Sequence, residues 1–172
     1  MSYVEDRLAI NDLFVRYTIA LDTGDVETIV GCFTEDGSLV SPTVGTYSGR
    51  PAIREFARRF ARFRERGSQL RHVISNLAVQ LDGDRASATC YLLNVITRNG
   101  KSELLAPGRY EGRLEKIEGE WLFKHRLVIL DHEVRLDGVG QRYRYLFRHS
   151  REKRESRAPG LNRLPGAPLA RG

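Results

Sequence analysis

The sequence predicts an α+β fold in which helices pack on one face of a curved, mostly antiparallel sheet. In three segments of the first 66 positions, apolar residues recur at spacings of three and four, which is typical of amphipathic helices. After Gly67 the pattern changes to strand-length apolar segments separated by short turns. Helices followed by strands indicate an α+β arrangement. A chain of 172 residues suits one domain with one core.

Three helices are predicted. The first covers about residues 4–22 and ends with a left-handed cap at Gly24. Asp25 can N-cap the second helix, whose apolar side extends to Phe33. Pro51 lies in the first turn of the third helix, where a missing N–H costs nothing. The stripe that this helix buries comprises Ile53, Phe56, Ala57, Phe60 and Phe63.

Between the second and third helices, residues 35–37 predict a turn and residues 38–41 a short strand that stops at Pro42. Four longer strands follow, at about 71–81, 85–98, 102–117 and 121–134. Their short connections predict an antiparallel meander. Alternation along the first of them predicts one face with His72, Ile74 and Asn76, and another with Val73, Ser75, Leu77 and Val79.

The positive charge of the chain is concentrated at its C-terminal end. Residues 141–172 carry nine Lys/Arg and two Glu, which is +7, whereas residues 1–140 carry nineteen Lys/Arg and twenty Asp/Glu, which is −1. We therefore expect a domain at 1–137 and a basic extension at 138–172 whose last part is disordered. With a nearly neutral body, no nucleic-acid partner is expected.

Composition also bears on location and cofactors. No apolar run is long enough to span a membrane, and the start lacks the apolar region of a signal peptide, so a cytoplasmic protein is expected. Cys32 and Cys90 lie inside predicted elements and are expected to be core thiols. No set of His, Cys, Asp and Glu has metal-ligand spacing and no phosphate-binding glycine loop is present, so neither a metal nor another cofactor is expected.

Asp22 and His72 are the main candidates for chemistry. Asp22 closes the first helix and His72 opens an apolar strand. If the carboxylate meets the imidazole in an apolar pocket, it fixes the tautomer and stabilises the imidazolium, which makes a general base. Tyr17 is the first candidate to donate a hydrogen bond to the oxygen that becomes negative. The alternative is that Asp22 only makes hydrogen bonds near the helix end at Thr23-Gly24, and that His72 faces a subunit contact.

Five further residues are candidates for substrate binding. Tyr47, Tyr91 and Tyr110 offer hydroxyl groups, although a packed aromatic role is the alternative for each. Asn94 interrupts an apolar strand face, where it either lines a pocket or makes a buried structural hydrogen bond. Arg126 either steers an anionic substrate or, as we expect, forms a salt bridge with a nearby acid. His125 and His132 are expected at the surface or an interface, and the arginines of the third helix on a solvated face.

The succession of local motifs resembles the SnoaL-like branch of the nuclear transport factor 2-like superfamily. The motifs are Tyr17-x4-Asp22, Asp25-x7-Phe33-x2-Asp36-Gly37, Gly49-Arg50-Pro51-Ala52-Ile53, Arg71-His72-x3-Asn76, Gly108-Arg109-Tyr110-Glu111 and Gly119-x-Trp121-x4-Arg126. The resemblance covers roughly residues 4–134. It implies a cone-shaped α+β barrel with a deep apolar pocket between sheet and helices.

The resemblance also implies a chemistry. Similar proteins include scytalone dehydratase, bile-acid dehydratase, steroid isomerase, polyketide cyclases and hexachlorocyclohexane dehydrochlorinase. The dehydratases and the dehydrochlorinase use a cofactor-free His–Asp dyad, and by motif position these residues fall on His72 and Asp22. The tyrosine that the dehydratases place on the first helix falls on Tyr17. The acidic positions that steroid isomerases and cyclases use are not clearly supplied here.

A second resemblance points to a structural role. The segment from Arg71-His72-x3-Asn76 to residues 126–131 is also similar to β subunits of aromatic-ring-hydroxylating dioxygenases, whose metal sites lie on the α subunit.

Of the two resemblances we favour the first. It predicts a lyase or isomerase acting on a small, mostly apolar ring compound, as a homodimer or homotrimer formed through the outer face of the sheet. The alternatives are a non-catalytic β-type subunit and a binding module without turnover.

Overall fold

Three helices pack against one face of a six-stranded sheet in the computed structural model, which describes residues 2–132. The helices are α1 (Tyr3–Thr23), α2 (Val26–Gly31) and α3 (Gly49–Glu65). The strands are β1 (Phe33–Ser41), β2 (Gly45–Ser48), β3 (Gln69–Asp82), β4 (Arg85–Arg98), β5 (Lys101–Ile117) and β6 (Glu120–Leu130). The predicted basic extension at 138–172 lies outside the described residues. Among the described helices, none has the length and hydropathy that crossing a membrane would require.

The predicted α+β class is confirmed. The strand order is β2-β1-β6-β5-β4-β3, and every neighbouring pair is antiparallel except β1 and β6. Hydrophobic side chains of α1 and α3 meet the inner face of the sheet in one core. Cys32 and Cys90 are buried in it as thiols, as expected.

Capping residues set the ends of α1 and α2. The Ser2 hydroxyl accepts from the Glu5 N–H, and the Glu5 carboxylate accepts from the Ser2 N–H, which forms a capping box. Gly24 ends α1 at φ 78°, the left-handed conformation that glycine adopts without strain. Asp25 caps α2 by accepting from the Thr28 N–H at 3.1 Å. The end of α1 is therefore fixed by local chemistry, and Asp22 stands in its last turn.

The segment after α2 differs from the prediction. Phe33 begins β1 and does not extend the helix, because the Cys32 carbonyl accepts from the Phe123 N–H at 2.8 Å and draws the chain into the sheet. The predicted turn at residues 35–37 lies within β1, where the register with β6 shifts between Phe33 and Ser38. The unpredicted strand β2 then pairs with β1.

The predicted alternation along β3 is wrong beyond Ser75. Asn76 adopts φ 56°, and the register with β4 shifts between Ser75 and Ala78. Such a bulge exchanges the two faces of a strand. Leu77 and Val79 therefore pack against the core, on the side of His72 and Ile74, whereas Asn76 is exposed.

A buried polar contact ties α1 to the far end of the sheet. The Trp121 indole N–H and the Lys116 ammonium both donate to Asp6 Oδ1, at 2.8 and 2.7 Å. The Asp6 and Lys116 side chains are each 12% exposed. The hydrogen bond from Lys116, followed by that from Trp121, holds the pKa of Asp6 below its ordinary value.

Asp6→Asn is expected to remove an acid-sensitive part of the stability. Because the folded-state pKa of Asp6 is lowered, its carboxylate stabilises the fold above about pH 4, and this contribution is lost as pH falls through the folded pKa. Urea unfolding followed by circular dichroism should show a steeper acid-side loss for the wild type than for the variant. Asp12→Asn, at an exposed position of the same helix, should behave as the wild type. Equal slopes for wild type and Asp6→Asn would contradict this account.

Candidate functional site

A pocket opens between the helices and the inner face of the sheet. Its volume is about 550 Å³ including the mouth. Most of its wall is apolar and comes from every strand except β2, from α1 and α3, and from the segment between β1 and β2. The apolar lining residues are Leu21, Leu39, Val44, Phe56, Phe60, Leu70, Leu105, Ala106, Val128 and Leu130. Such a wall suits a small, largely apolar ligand.

The structure brings Asp22 and His72 together at this pocket. The Asp22 Oδ1 atom lies 2.6 Å from His72 Nδ1, and the Asp22 carboxylate also accepts from the His72 backbone N–H at 3.1 and 3.3 Å. The side chains are 14% and 5% exposed, respectively. With an ionised carboxylate, the short contact requires a proton on Nδ1, so in the neutral ring the lone pair is on Nε2.

Local packing fixes this pair from both sides. Gln69 Nε2 donates to the Asp22 backbone carbonyl at 3.1 Å, which joins the end of α1 to the start of β3. The ring of Phe60, from α3, lies 5.8 Å from the imidazole, centroid to centroid. Three elements therefore hold one imidazole, and its ring lines the pocket.

Asn94 lies beside His72 on the neighbouring strand. The two residues are direct partners across β3 and β4, and both line the pocket. The Asn94 Oδ1 atom is buried without a hydrogen-bond partner. Of the two predicted roles, the structure gives the pocket position and no structural hydrogen bond to residues 2–132.

Tyr17 and Tyr110 also line the pocket, and both are almost fully buried. Burial raises the pKa of Tyr17 to about 12, although the positive charge of Arg126 opposes the shift. Burial likewise raises the pKa of Tyr110 well above its ordinary value. Both phenols are therefore neutral at physiological pH and can donate a hydrogen bond.

Arg126 lies among aromatic rings, and the predicted salt bridge is wrong for the residues that the structure describes. The guanidinium carbon is 3.9 Å from the Tyr110 ring centroid and 4.2 Å from that of Tyr17. The centroids of Phe123 and Phe14 lie at 4.5 and 4.8 Å. None of its three nitrogens has a hydrogen-bond partner within residues 2–132. Arg126 is fully buried beneath the two tyrosines, outside the pocket lining.

Besides Arg126, two further predicted substrate-binding residues lie outside the pocket lining. Tyr91 is 60% exposed on the opposite face of the sheet, because it alternates with the buried Cys90 and Leu92. The Tyr47 hydroxyl donates to the Val44 carbonyl at 3.0 Å, and its ring packs against Phe56 outside the lining. Both expectations of pocket contact are therefore corrected.

Other candidates from the sequence have ordinary roles. His125 Nδ1 lies 2.8 Å from the Ser38 hydroxyl, away from the pocket, and His132 is exposed. Arginines of α3 pair with Glu27 and Glu55 at the surface. Within residues 2–132, no group of three or more His, Cys, Asp or Glu is placed to hold a metal ion.

Sequence reasoning missed the polar residues at the pocket from β1 and its turn. Ser41 and Thr43 line it together with Val44, and they flank Pro42. The residue pattern carried no signal for them, because Pro42 indicated only the end of a strand.

Comparison with known proteins identifies the family. The profile of the SnoaL-like domain matches residues 2–127, so the chain belongs to this family. Solved structures with an NTF2-like, cystatin-like fold also match, which agrees with the architecture described above. No curated protein matches the chain.

Three solved structures illustrate the range of relatives. An aspartate-to-asparagine variant of Rv3472, a protein of unknown function from Mycobacterium tuberculosis, is 32% identical, with a TM-score of 0.68 over 77% of this chain and 80% of that one. A proposed aromatic ring hydroxylase from Novosphingobium aromaticivorans is 27% identical, with a TM-score of 0.65 over 78% and 94%. A proposed β subunit of an aromatic-ring-hydroxylating dioxygenase from the same organism is 22% identical, with a TM-score of 0.64 over 73% and 88%, a likeness of fold alone.

Proposed function

We propose that this SnoaL-like chain is a cofactor-independent lyase or isomerase, of dehydratase type, acting on a small and mostly apolar cyclic substrate. The observation that carries the proposal is the 2.6 Å contact between Asp22 Oδ1 and His72 Nδ1 at the wall of an apolar pocket. A carboxylate on one ring nitrogen leaves the other as a base toward the pocket. Family membership supports the choice of a small-molecule ligand.

The proposed first step is proton removal from carbon. His72 Nε2 takes a proton from a carbon next to a carbonyl group, and the C–H electron pair moves to give an enolate and an imidazolium. In an isomerisation the proton returns to a different carbon. In a dehydration the enolate electrons expel a hydroxyl group from the carbon next to the deprotonated one. This hydroxyl group takes the proton from the His72 imidazolium and leaves as water. Asp22 stabilises the imidazolium through Nδ1–H in both cases.

Tyr17 is the proposed donor to the enolate oxygen. Its hydroxyl stays protonated at neutral pH because burial raises the pKa of Tyr17 to about 12. The guanidinium of Arg126, 4.2 Å from the Tyr17 ring centroid, adds a fixed positive charge behind it. A hydrogen-bond donor such as the Tyr17 hydroxyl and a nearby cation such as Arg126, both shielded from water, stabilise negative charge on a bound oxygen.

Proton exchange with solvent tests the proposal without knowledge of the natural substrate. The chain is incubated in D₂O with 1-tetralone, 2-tetralone and 3-hydroxy-1-tetralone, and proton NMR follows loss of the α-proton signals and formation of 1-naphthol by dehydration and tautomerisation. We expect the wild type, but not His72→Gln, to accelerate exchange or dehydration of at least one compound. His125→Gln, which alters a histidine away from the pocket, is the matched control. Equal rates for wild type and His72→Gln would remove His72 from the mechanism.

A second candidate function is that of a β-type structural subunit. The exposed outer face of the sheet supports it, since Val73 and Leu93 are cross-strand partners there and are 50% and 44% exposed. Tyr91 and Leu104 extend this apolar face, with 60% and 58% exposure. The similarity to a proposed aromatic ring hydroxylase points the same way.

Solution mass separates self-association from the subunit role. We propose that the chain forms a homodimer or homotrimer through this outer face, because the centre of a protein interface is rich in apolar side chains and poor in charged ones. A glutamate introduced there would be buried at the interface and would oppose association. Light scattering should then give a dimer or trimer for the wild type and a monomer for Leu93→Glu. A monomeric wild type that gains mass only with an iron–sulfur α subunit would favour the β-type role instead.

A further inference from the structure

The Asn94 carboxamide stands out in the pocket wall because it makes no hydrogen bond to residues 2–132. Its Oδ1 atom is buried without a partner. Within residues 2–132, the one other buried side chain with unpartnered polar atoms is Arg126, which lies among aromatic rings. By contrast, the Thr18 hydroxyl donates to the Phe14 carbonyl at 3.1 Å, and Asp6 accepts two hydrogen bonds. Buried polar atoms nearly always have partners, so an exception in a pocket indicates that a ligand supplies one.

The position of Asn94 restricts where that ligand group lies. Asn94 is the direct cross-strand partner of His72, and Cβ atoms of such partners are about 4.5–5.5 Å apart. Both side chains point to the pocket. A group bound to Oδ1 is therefore next to the part of the ligand that faces the imidazole. Tyr110 lines a different part of the pocket. It pairs with Cys90, which is four residues, or about 13 Å, along β4 from Asn94.

We propose that Asn94 determines specificity by accepting a hydrogen bond from a hydroxyl group of the substrate, so that the substrate class is a hydroxylated cyclic compound. With the amide oriented as in this structure, the buried atom is Oδ1, an acceptor, so its partner is a donor such as a hydroxyl group, and an ether or a ketone oxygen does not satisfy it. Placement of this hydroxyl beside the reacting carbon rests on the proposed function of His72. Recognition of the hydroxyl itself does not, because binding requires no turnover.

The stability of an Asn94 variant separates this role from a structural one. A structural asparagine would donate or accept hydrogen bonds within the fold, and its loss would lower the unfolding midpoint. An amide that binds only a ligand has no hydrogen-bond partner in the free protein. Replacement by a leucine of similar size then removes a buried unpaired polar atom and breaks no hydrogen bond. We therefore expect Asn94→Leu to unfold at the same urea concentration as the wild type or at a higher one.

Binding of two matched probes tests the inference directly. Calorimetry compares 1-naphthol, which can donate a hydrogen bond, with 1-methoxynaphthalene, which cannot. The wild type should bind 1-naphthol about tenfold more tightly, the factor that one neutral hydrogen bond typically contributes. Asn94→Leu should lose that preference through weaker binding of 1-naphthol alone.

His72→Gln shows which residue recognises the hydroxyl. It should keep the preference for 1-naphthol if Asn94 is the acceptor, even if exchange assays were to exclude His72 from catalysis. A preference that survives in Asn94→Leu and disappears in His72→Gln would assign recognition to His72 and overturn the inference. A wild type without preference, or one that binds neither probe, would overturn it as well.

Discussion

His72→Gln is expected to lower kcat by about 10²–10⁴-fold on any compound that the wild type turns over, which is the usual contribution of a general base. Glutamine keeps a polar group of similar reach but provides no nitrogen lone pair to take a proton. KM should change far less, because the apolar wall that holds the ligand stays in place. A variant that raises KM and leaves kcat unchanged would show that His72 only binds.

Asp22→Asn extends this test to the partner of the imidazole. An amide in place of the carboxylate can present its N–H₂ group to Nδ1, which favours the tautomer with the proton on Nε2 and removes the base from the pocket side. We expect a loss in kcat comparable to that of His72→Gln, and little further loss in the double variant, since residues that act as a unit are not additive. Independent, multiplicative losses would contradict a joint role.

The positions of Asp22 and His72 in the fold could be anticipated from the sequence because each signal is local. Capping at Gly24 ends α1 at Thr23, which places Asp22 in its last turn, and the strand pattern begins β3 close to His72. Their contact followed from motif order and not from spacing. The pairing of β1 with β6 could not be anticipated, because it depends on a contact between Cys32 and Phe123, ninety-one positions apart.

Two predictions about strand residues, the pocket contact of Tyr91 and the alternation along β3, are wrong for different physical reasons. Tyr91 could have been placed outside from the sequence, since it alternates with residues of the buried face of β4. The bulge at Asn76 could not, because asparagine in the left-handed conformation is uncommon and the flanking residues fit a regular strand equally well. One bulge is enough to bring Leu77 and Val79 to the core.

Arg126 lies outside the pocket lining, and its surroundings differ from the predicted salt bridge within residues 2–132. Sequence reasoning favours an acid beside a buried arginine, since unpaired buried charge is costly. In the structure, the faces of four aromatic rings stand around the guanidinium instead. Cation–π contacts contribute about 0.5–1 kcal/mol at exposed sites and about 2 kcal/mol or more when desolvated. The rings come from α1, β5 and β6, so no local pattern reports the arrangement.

This arrangement predicts that the conservative change Arg126→Lys is more destabilising than the removal of charge in Arg126→Met. An ammonium group is compact and strongly hydrated, and among these rings it must be desolvated without an acidic partner from residues 2–132 or lose its proton. We expect a loss of about 2–4 kcal/mol in the free energy of unfolding.

Methionine at position 126 keeps a long side chain, fills the space between the rings and makes favourable sulfur–aromatic contacts. Because an apolar side chain of similar length also removes the cost of burying the charge, we expect Arg126→Met to lower the free energy of unfolding by less than about 1.5 kcal/mol. Urea unfolding of both variants, followed by circular dichroism, measures the difference. If Arg126→Met were as destabilising as Arg126→Lys, the attraction between the guanidinium and the four rings would outweigh the cost of burying its charge, and this charge would stabilise the fold.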